Sequence, residues 1–280
     1  MEHVRKPLEP MGVMKNLKRL EIYYIAYFFG EGFNFKSCFQ PWFKGFTFSS
    51  DLKEVQLKMS MNIAYSTDSG FLAWGELISQ YLPQITRLEL GNLDRNNNTY
   101  ADLSIDLSWI PKLKNLKILV LSNLNLYQSG PFYKTPMANL KRLELDGYSS
   151  ENSTFLINLS EIFPALDTLI ITKGKWKISA LEDVLKSLGN FENLRTTKIT
   201  TKTRCDLSIS DDKQLAKSIM EQALEIIEKK FPVDSTEIEI HADVFQCHNL
   251  GYGRSYVRCH YEMTIIKKKG KEPSLKITDP

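Results

Sequence analysis

NLKRLEI at residues 16–22 returns almost unchanged as NLKRLEL at 139–145. A near-copy so far downstream asks for a periodic reading of the whole chain. The pattern Leu-x-x-Leu-x-Leu, with other aliphatics admitted, fits Leu17/Leu20/Ile22, Leu52/Val55/Leu57, Ile85/Leu88/Leu90, Leu116/Leu119/Leu121, Leu140/Leu143/Leu145 and Leu166/Leu169/Ile171. A weaker unit follows at Leu194, Thr197 and Ile199, where a polar residue takes the middle anchor. Successive starts are 35, 33, 31, 24, 26 and 28 residues apart.

Within each unit the two anchors spaced by two predict a short strand, because alternate side chains face the same way. Between strands lie FLAWGELISQYLP (71–83), LSIDLSWIPKL (103–113), FLINLSEIFP (155–164) and ISALEDVLKSLGNF (178–191), whose apolar residues recur at helical spacing. Pro83, Pro111 and Pro164 fall near the ends of three of these stretches, as helix stops. One such unit cannot bury its own apolar edge, whereas stacked neighbours bury a continuous core. The twice-written NLKRLE is then the turn into a strand, with Leu17 and Leu140 as interior anchors and Lys and Arg outside.

These units resemble the leucine-rich repeat family over roughly residues 14–205, most clearly in LKILVLSNLNL at 116–126. The position the family usually gives to Asn or Cys holds Leu124 here. Long units with helical returns look most like the ribonuclease-inhibitor-like branch, and closest in character to the repeat region of F-box/leucine-rich-repeat proteins. The resemblance implies an α/β fold: a solenoid or horseshoe with a parallel concave sheet, a helical convex side and an α+β C-terminal cap. The expected divisions are residues 1–50 (aromatic-rich cap with the first repeat), 51–205 (repeats) and 206–280 (helix plus β-hairpin).

Residues 23–48 hold twelve aromatics in 26 positions, which suits either a cap over the end of the stack or an exposed docking patch. After Cys205 the pattern changes. DDKQLAKSIMEQALEIIEKKFP (211–232) predicts an amphipathic helix capped by Asp211 or Asp212, with Leu215, Ile219, Ala223, Ile226 and Ile227 on its buried side. TEIEIHADV then alternates as a strand, and a hairpin folded about Gly253 would set Cys247 opposite Cys259. His248 and His260 would point to the other face, so four ligands do not converge and no metal site is expected.

With 36 Lys+Arg against 33 Asp+Glu, the net charge of +3 gives no reason to expect a nucleic-acid partner. The longest basic run, KKKGK at 267–271, reads as a solvated tail rather than a targeting or phosphate-binding patch. No apolar run is long enough to span a bilayer and the start lacks the apolar centre of a signal peptide, so a cytoplasmic or nuclear monomer without a membrane partner is expected. No phosphate loop, G-x-S-x-G elbow or H-E-x-x-H helix is present, so neither a cofactor nor an enzyme is expected.

Outward positions between the anchors form two rows. One is Arg19, Glu54, Arg87, Ile118, Arg142, Thr168 and Thr196; the other is Glu21, Gln56, Glu89, Val120, Glu144, Ile170 and Lys198. Ile118, Val120 and Ile170 are apolar on a face where water is the default neighbour, rimmed by Arg87, Glu89, Arg142 and Glu144. An apolar centre within a charged rim is the anatomy of a protein-binding surface. A covering loop, or strand propensity alone, would also place branched residues there. The partner-binding candidates are therefore Arg87, Glu89, Ile118, Val120, Arg142, Glu144, Thr168, Ile170 and Lys198. The resemblance implies a non-catalytic interaction module, specifically the substrate-recognition region of an F-box-type ubiquitin ligase receptor. A Skp1-type adaptor is expected only if an F-box lies outside this chain, since the fifteen residues ahead of the first repeat hold none. The alternative is a regulator of a small GTPase, for which Arg95 is the loop arginine, or another repeat-scaffold protein unrelated to ubiquitin ligases.

Overall fold

A computed structural model describes residues 16–25, 40–41, 43–44, 51–60, 67–92, 109–123, 136–147, 149–150, 158–205, 209–231, 234, 236–249 and 255–278. The chain divides into two compact units, Met1–Leu140 and Lys141–Pro280.

In the first unit, strands β1 (Arg19–Ile25), β2 (Glu54–Ser60), β3 (Arg87–Asn92) and β4 (Ile118–Ser122) pair in that order, all parallel. Their register is the one the repeat predicts. Leu20, Val55, Leu88 and Leu119 form one cross-strand row, and Ile22, Leu57, Leu90 and Leu121 the next. Apart from Leu20, which is half-buried, these anchors are buried. Helix α1 (Thr67–Tyr81) adds Trp74, Leu77 and Ile78 to the same core. Pro111 lies in the first turn of a short 3-10 helix, Ile110–Lys112, and the rest of the expected helical stretch, 103–108, lies outside the described residues. Its fixed φ suits that place, because the missing N–H is one that the first turn leaves unused.

In the second unit, β5 (Arg142–Asp146), β7 (Thr168–Lys177), β8 (Thr196–Cys205) and β9 (Glu237–Asn249) are parallel neighbours. The two-residue β6 (Ser149–Ser150) pairs beside β7. Strands β10 (Ser255–Lys267) and β11 (Ser274–Thr278) then continue antiparallel from β9. The alternating TEIEIHADV is thus not only part of a hairpin. It carries the parallel ladder on, with Ile238 and Ile240 in register with Thr197 and Ile199. Helical returns are present as α2 (Leu159–Ile162), a single turn, and α3 (Ile178–Leu188). Helix α4 (Ile209–Lys230) begins earlier than expected, so Asp211 and Asp212 lie inside its first turn instead of capping it. Ile219, Met220, Ala223 and Ile227 line its buried side.

Two further features hold neighbouring turns together. The carbonyl ahead of several strands accepts two N–H groups from the next turn: Lys18 O from Lys53 (3.0 Å) and Glu54 (3.2 Å), Lys53 O from Thr86 (2.8 Å) and Arg87 (3.0 Å), and Asp167 O from Arg195 (2.8 Å) and Thr196 (2.9 Å). The Asn of the recurring Asn-Leu pair donates to a carbonyl of the preceding turn: Asn115 Nδ2 to Pro83 O (3.1 Å), Asn139 Nδ2 to Lys114 O (2.7 Å) and Asn193 Nδ2 to Pro164 O (3.1 Å). The repeat keeps Asn in NLKRLEL because that amide bridges one turn to the last.

The interior rows have polar exceptions. Thr197 sits at an anchor position, and Lys267, the last residue of β10, is only 1% exposed. Neither Thr197 Oγ1 nor Lys267 Nζ has a hydrogen-bond partner among the described residues. A buried amine without an acceptor opposes folding. Lys267→Met keeps the stem and removes the amine, so it is expected to raise unfolding stability by about 1–3 kcal/mol. Urea denaturation checks this; a loss of stability would show that the amine has an acceptor.

Candidate functional site

The outward rows are built by the same alternation that buries the leucines, so their geometry follows from the register. In the first unit the rows run Arg19–Glu54–Arg87–Ile118 and Glu21–Gln56–Glu89–Val120. Charges here compensate one another. Arg19 pairs with Glu21 (2.7 Å) and Glu54 (3.7 Å) and donates to Gln56 Oε1 (2.7 Å). Glu89 is ion-paired with Lys58 (3.1 Å) and Arg87 (3.6 Å). Ile118 is half-buried beside Arg87, whereas Val120 is buried, 7% exposed, beside Glu89. The expected apolar centre in this unit is therefore offered to solvent by Ile118 and hardly by Val120.

In the second unit the rows run Arg142–Thr168–Thr196–Glu237 and Glu144–Ile170–Lys198–Glu239. Arg142 Nε donates to Glu144 (2.7 Å), Thr168 Oγ1 to Asp167 (2.8 Å), and Lys198 Nζ to Glu239 (3.0 Å). Ile170 is half-buried between Glu144 and Lys198. The sequence-predicted residues thus divide into Arg87, Glu89, Ile118 and Val120 in one unit and Arg142, Glu144, Thr168, Ile170 and Lys198 in the other.

A group that the repeat pattern does not single out lies on the second unit's outward face. His241 Nε2 bonds Glu239 Oε1 (2.8 Å) and its Nδ1 lies 3.2 Å from Thr264 Oγ1, the cross-strand neighbour. With the neutral ring protonated on Nε2, Thr264 donates to Nδ1, which gives a hydroxyl–imidazole–carboxylate chain. Its chemistry is limited by its setting. β9 and β10 are each paired on both sides, so their N–H groups serve the sheet rather than a developing oxyanion. The chain instead ties β9 to β10, and Lys198 on β8 joins it through Glu239. The alternating outward residues of EIEIHAD were the only sequence signal for it.

The hydrogen bonds from His241 and then Lys198 hold the Glu239 carboxyl below the usual carboxylate range. A depressed acid stabilises the fold above its unfolded range and loses that contribution as pH falls through the folded value. Glu239→Gln is accordingly expected to cost about 0.5–1 kcal/mol near neutrality, since the group is partly exposed. The difference from wild type should shrink below about pH 4. Melting temperatures of both proteins from acid to neutral pH measure this, and a pH-independent difference would contradict it.

The hairpin register corrects the expected cysteine pairing. Ser255 pairs with Asn249 and Val257 with Cys247, so Cys247 faces Val257 instead of Cys259. A register shift between Val257 and Cys259 then sets Cys259 opposite Gln246. One irregularity is enough, because each extra residue in one strand moves every later partner. Among the described residues no group of three or more His, Cys, Asp or Glu is placed to hold a metal ion. Of the aromatic segment, Phe43 is buried with its ring edge-on to Trp74 (5.6 Å between centroids), while Tyr23 is 56% exposed. Most of that segment, together with Arg95 and Leu124, lies outside the described residues.

No protein-family model matches the chain, and no curated protein matches it. Among solved structures, the chain is similar to the crystal structure of internalin C2 from Listeria monocytogenes at 20% identity, with a TM-score of 0.34. The match covers 61% of this chain and 61% of that one, so it spans less than two thirds of the solved chain. The description of the fold accordingly rests on the strand register and the buried anchors.

Proposed function

We propose that the chain is a non-catalytic leucine-rich repeat module that binds a protein partner through the outward face of its sheet. The supporting observation is Ile118, a half-buried branched apolar residue on the outward row of the first unit, next to Arg87 and the Glu89 pairs. The neighbouring charges are already matched to one another, so affinity at this face comes from the apolar group and the rim contributes orientation. Ile170 supplies the corresponding group in the second unit. Tested by capture of an identified partner, Ile118→Ser should weaken binding at least tenfold while costing less than about 1 kcal/mol of stability. Unchanged capture, or a stability loss well above that, removes Ile118 from the binding surface. Val120→Ser is a poor test, because its burial would mix folding with binding.

The finer reading is the substrate-recognition region of an F-box-type ubiquitin ligase receptor in the cytoplasm or nucleus, and it rests on the repeat resemblance. A pull-down from a full-length chain that brings down a Skp1-type adaptor supports it. A pull-down that brings down a small GTPase instead favours the regulator.

A further inference from the structure

The KKKGK run, a solvated tail by its sequence, is instead the turn between β10 and β11, and it has company in the structure. Lys267 is buried, but Lys268, Lys269 and Lys271 are exposed in the turn between β10 and β11, where Gly270 takes φ +74°. Lys229 and Lys230, exposed in the last turn of α4, come from a distant part of the sequence. α4 packs against β10 and β11. The segment after Lys230 leads directly into β9, whose second residue, Ile238, pairs with Lys267. The helix end and the turn are therefore at the same end of the second unit.

The charges at this end behave unlike those on the sheet face. There, Arg142, Glu144, Lys198 and Glu239 are all ion-paired. None of the five exposed lysines has an ion pair among the described residues, although Glu228, Asp234 and Glu272 are exposed nearby. Unpaired ammonium groups keep their field available to a partner. They belong to a turn and a helix end rather than to the walls of a groove. No exposed aromatic ring accompanies them among the described residues to stack on a base. A cluster of four to eight basic residues of this kind suits the phosphate-rich plane of an anionic bilayer.

We propose that this end of the second unit docks peripherally on membranes carrying anionic phospholipids, through Lys229, Lys230, Lys268, Lys269 and Lys271. No helix among the described residues is long and apolar enough to cross a membrane, so the contact is at the headgroups. The inference is independent of the partner-binding face.

Sedimentation of the full chain with phosphatidylcholine vesicles, with and without phosphatidylserine, tests it. Binding is expected only with phosphatidylserine and should fall steeply as salt is raised. The triple variant Lys268→Gln/Lys269→Gln/Lys271→Gln should lose roughly a hundredfold in partitioning, and Lys229→Gln/Lys230→Gln roughly tenfold or more. These are exposed positions, so circular dichroism and melting should stay close to wild type; since each variant is tested separately, one that misfolds leaves the other to decide. Lys112→Gln/Lys114→Gln/Lys117→Gln, which removes three exposed lysines of the first unit, should keep binding. No binding to phosphatidylserine vesicles at low salt, or an equal loss in that control, overturns the proposal. Tighter binding to duplex DNA than to vesicles at the same salt overturns it too, in favour of a nucleic acid.

Discussion

Trp109→Ala is expected to cost about 3–5 kcal/mol, the largest single effect in the first unit. The indole is buried just ahead of the 3-10 turn and lies over Gly75 in the middle of α1. A Cβ built at Gly75 would collide with the ring carbons and Nε1 of Trp109. This explains a glycine inside a helix, where it costs roughly 1 kcal/mol relative to alanine. Gly75→Ala should therefore destabilise by about 1–3 kcal/mol in the wild type, because a packed ring cannot yield as a flexible side chain would. In the Trp109→Ala background the sign should reverse: the ring is gone, and alanine becomes the better helix former. A double-mutant cycle read by urea denaturation measures that reversal. If Gly75→Ala is neutral or stabilising with Trp109 present, the ring does not sit where the structure puts it.

The second large effect concerns the anchors. Leu119, Leu121, Leu143 and Leu145 are buried in cross-strand rows, and each replacement by alanine is expected to cost about 2–5 kcal/mol through lost burial and the cavity left behind. Their outward neighbours provide the contrast. Arg142→Ala and Glu144→Ala remove a partly exposed pair and should stay within about 1 kcal/mol. Thermal or chemical unfolding of the four alanine variants decides the matter. Losses below about 1 kcal/mol at all four would mean that the register is wrong by one residue, since a slip of one exchanges the buried and exposed faces.

That register was legible in the sequence. Leu-x-x-Leu-x-Leu states which alternate residues need burial, and stacking units that share this strand pattern leaves one way of aligning them. The anchor rows and the two outward rows, from Arg19 to Lys198, follow from this alone. The polar anchor Thr197 was legible in the same way, as were the helical returns α1 and α3. What depended on segments distant in sequence was not. Nothing local in Asn115 or Asn193 names Pro83 or Pro164 as the acceptor. Nor does EIHAD show that His241 meets Thr264, or KKKGK that Lys229 and Lys230 lie at the same end of the second unit. Val120 and Ile118 look equivalent in sequence, yet one is buried and the other only half-buried. The cysteine hairpin shows the same limit: one irregularity after Val257 sets Cys259 opposite Gln246, and no hydrophobic pattern encodes it. Periodicity records which side of the chain avoids water, because burial acts on every residue separately. The partners across a turn or a strand are chosen only when the packed core fixes which segments meet.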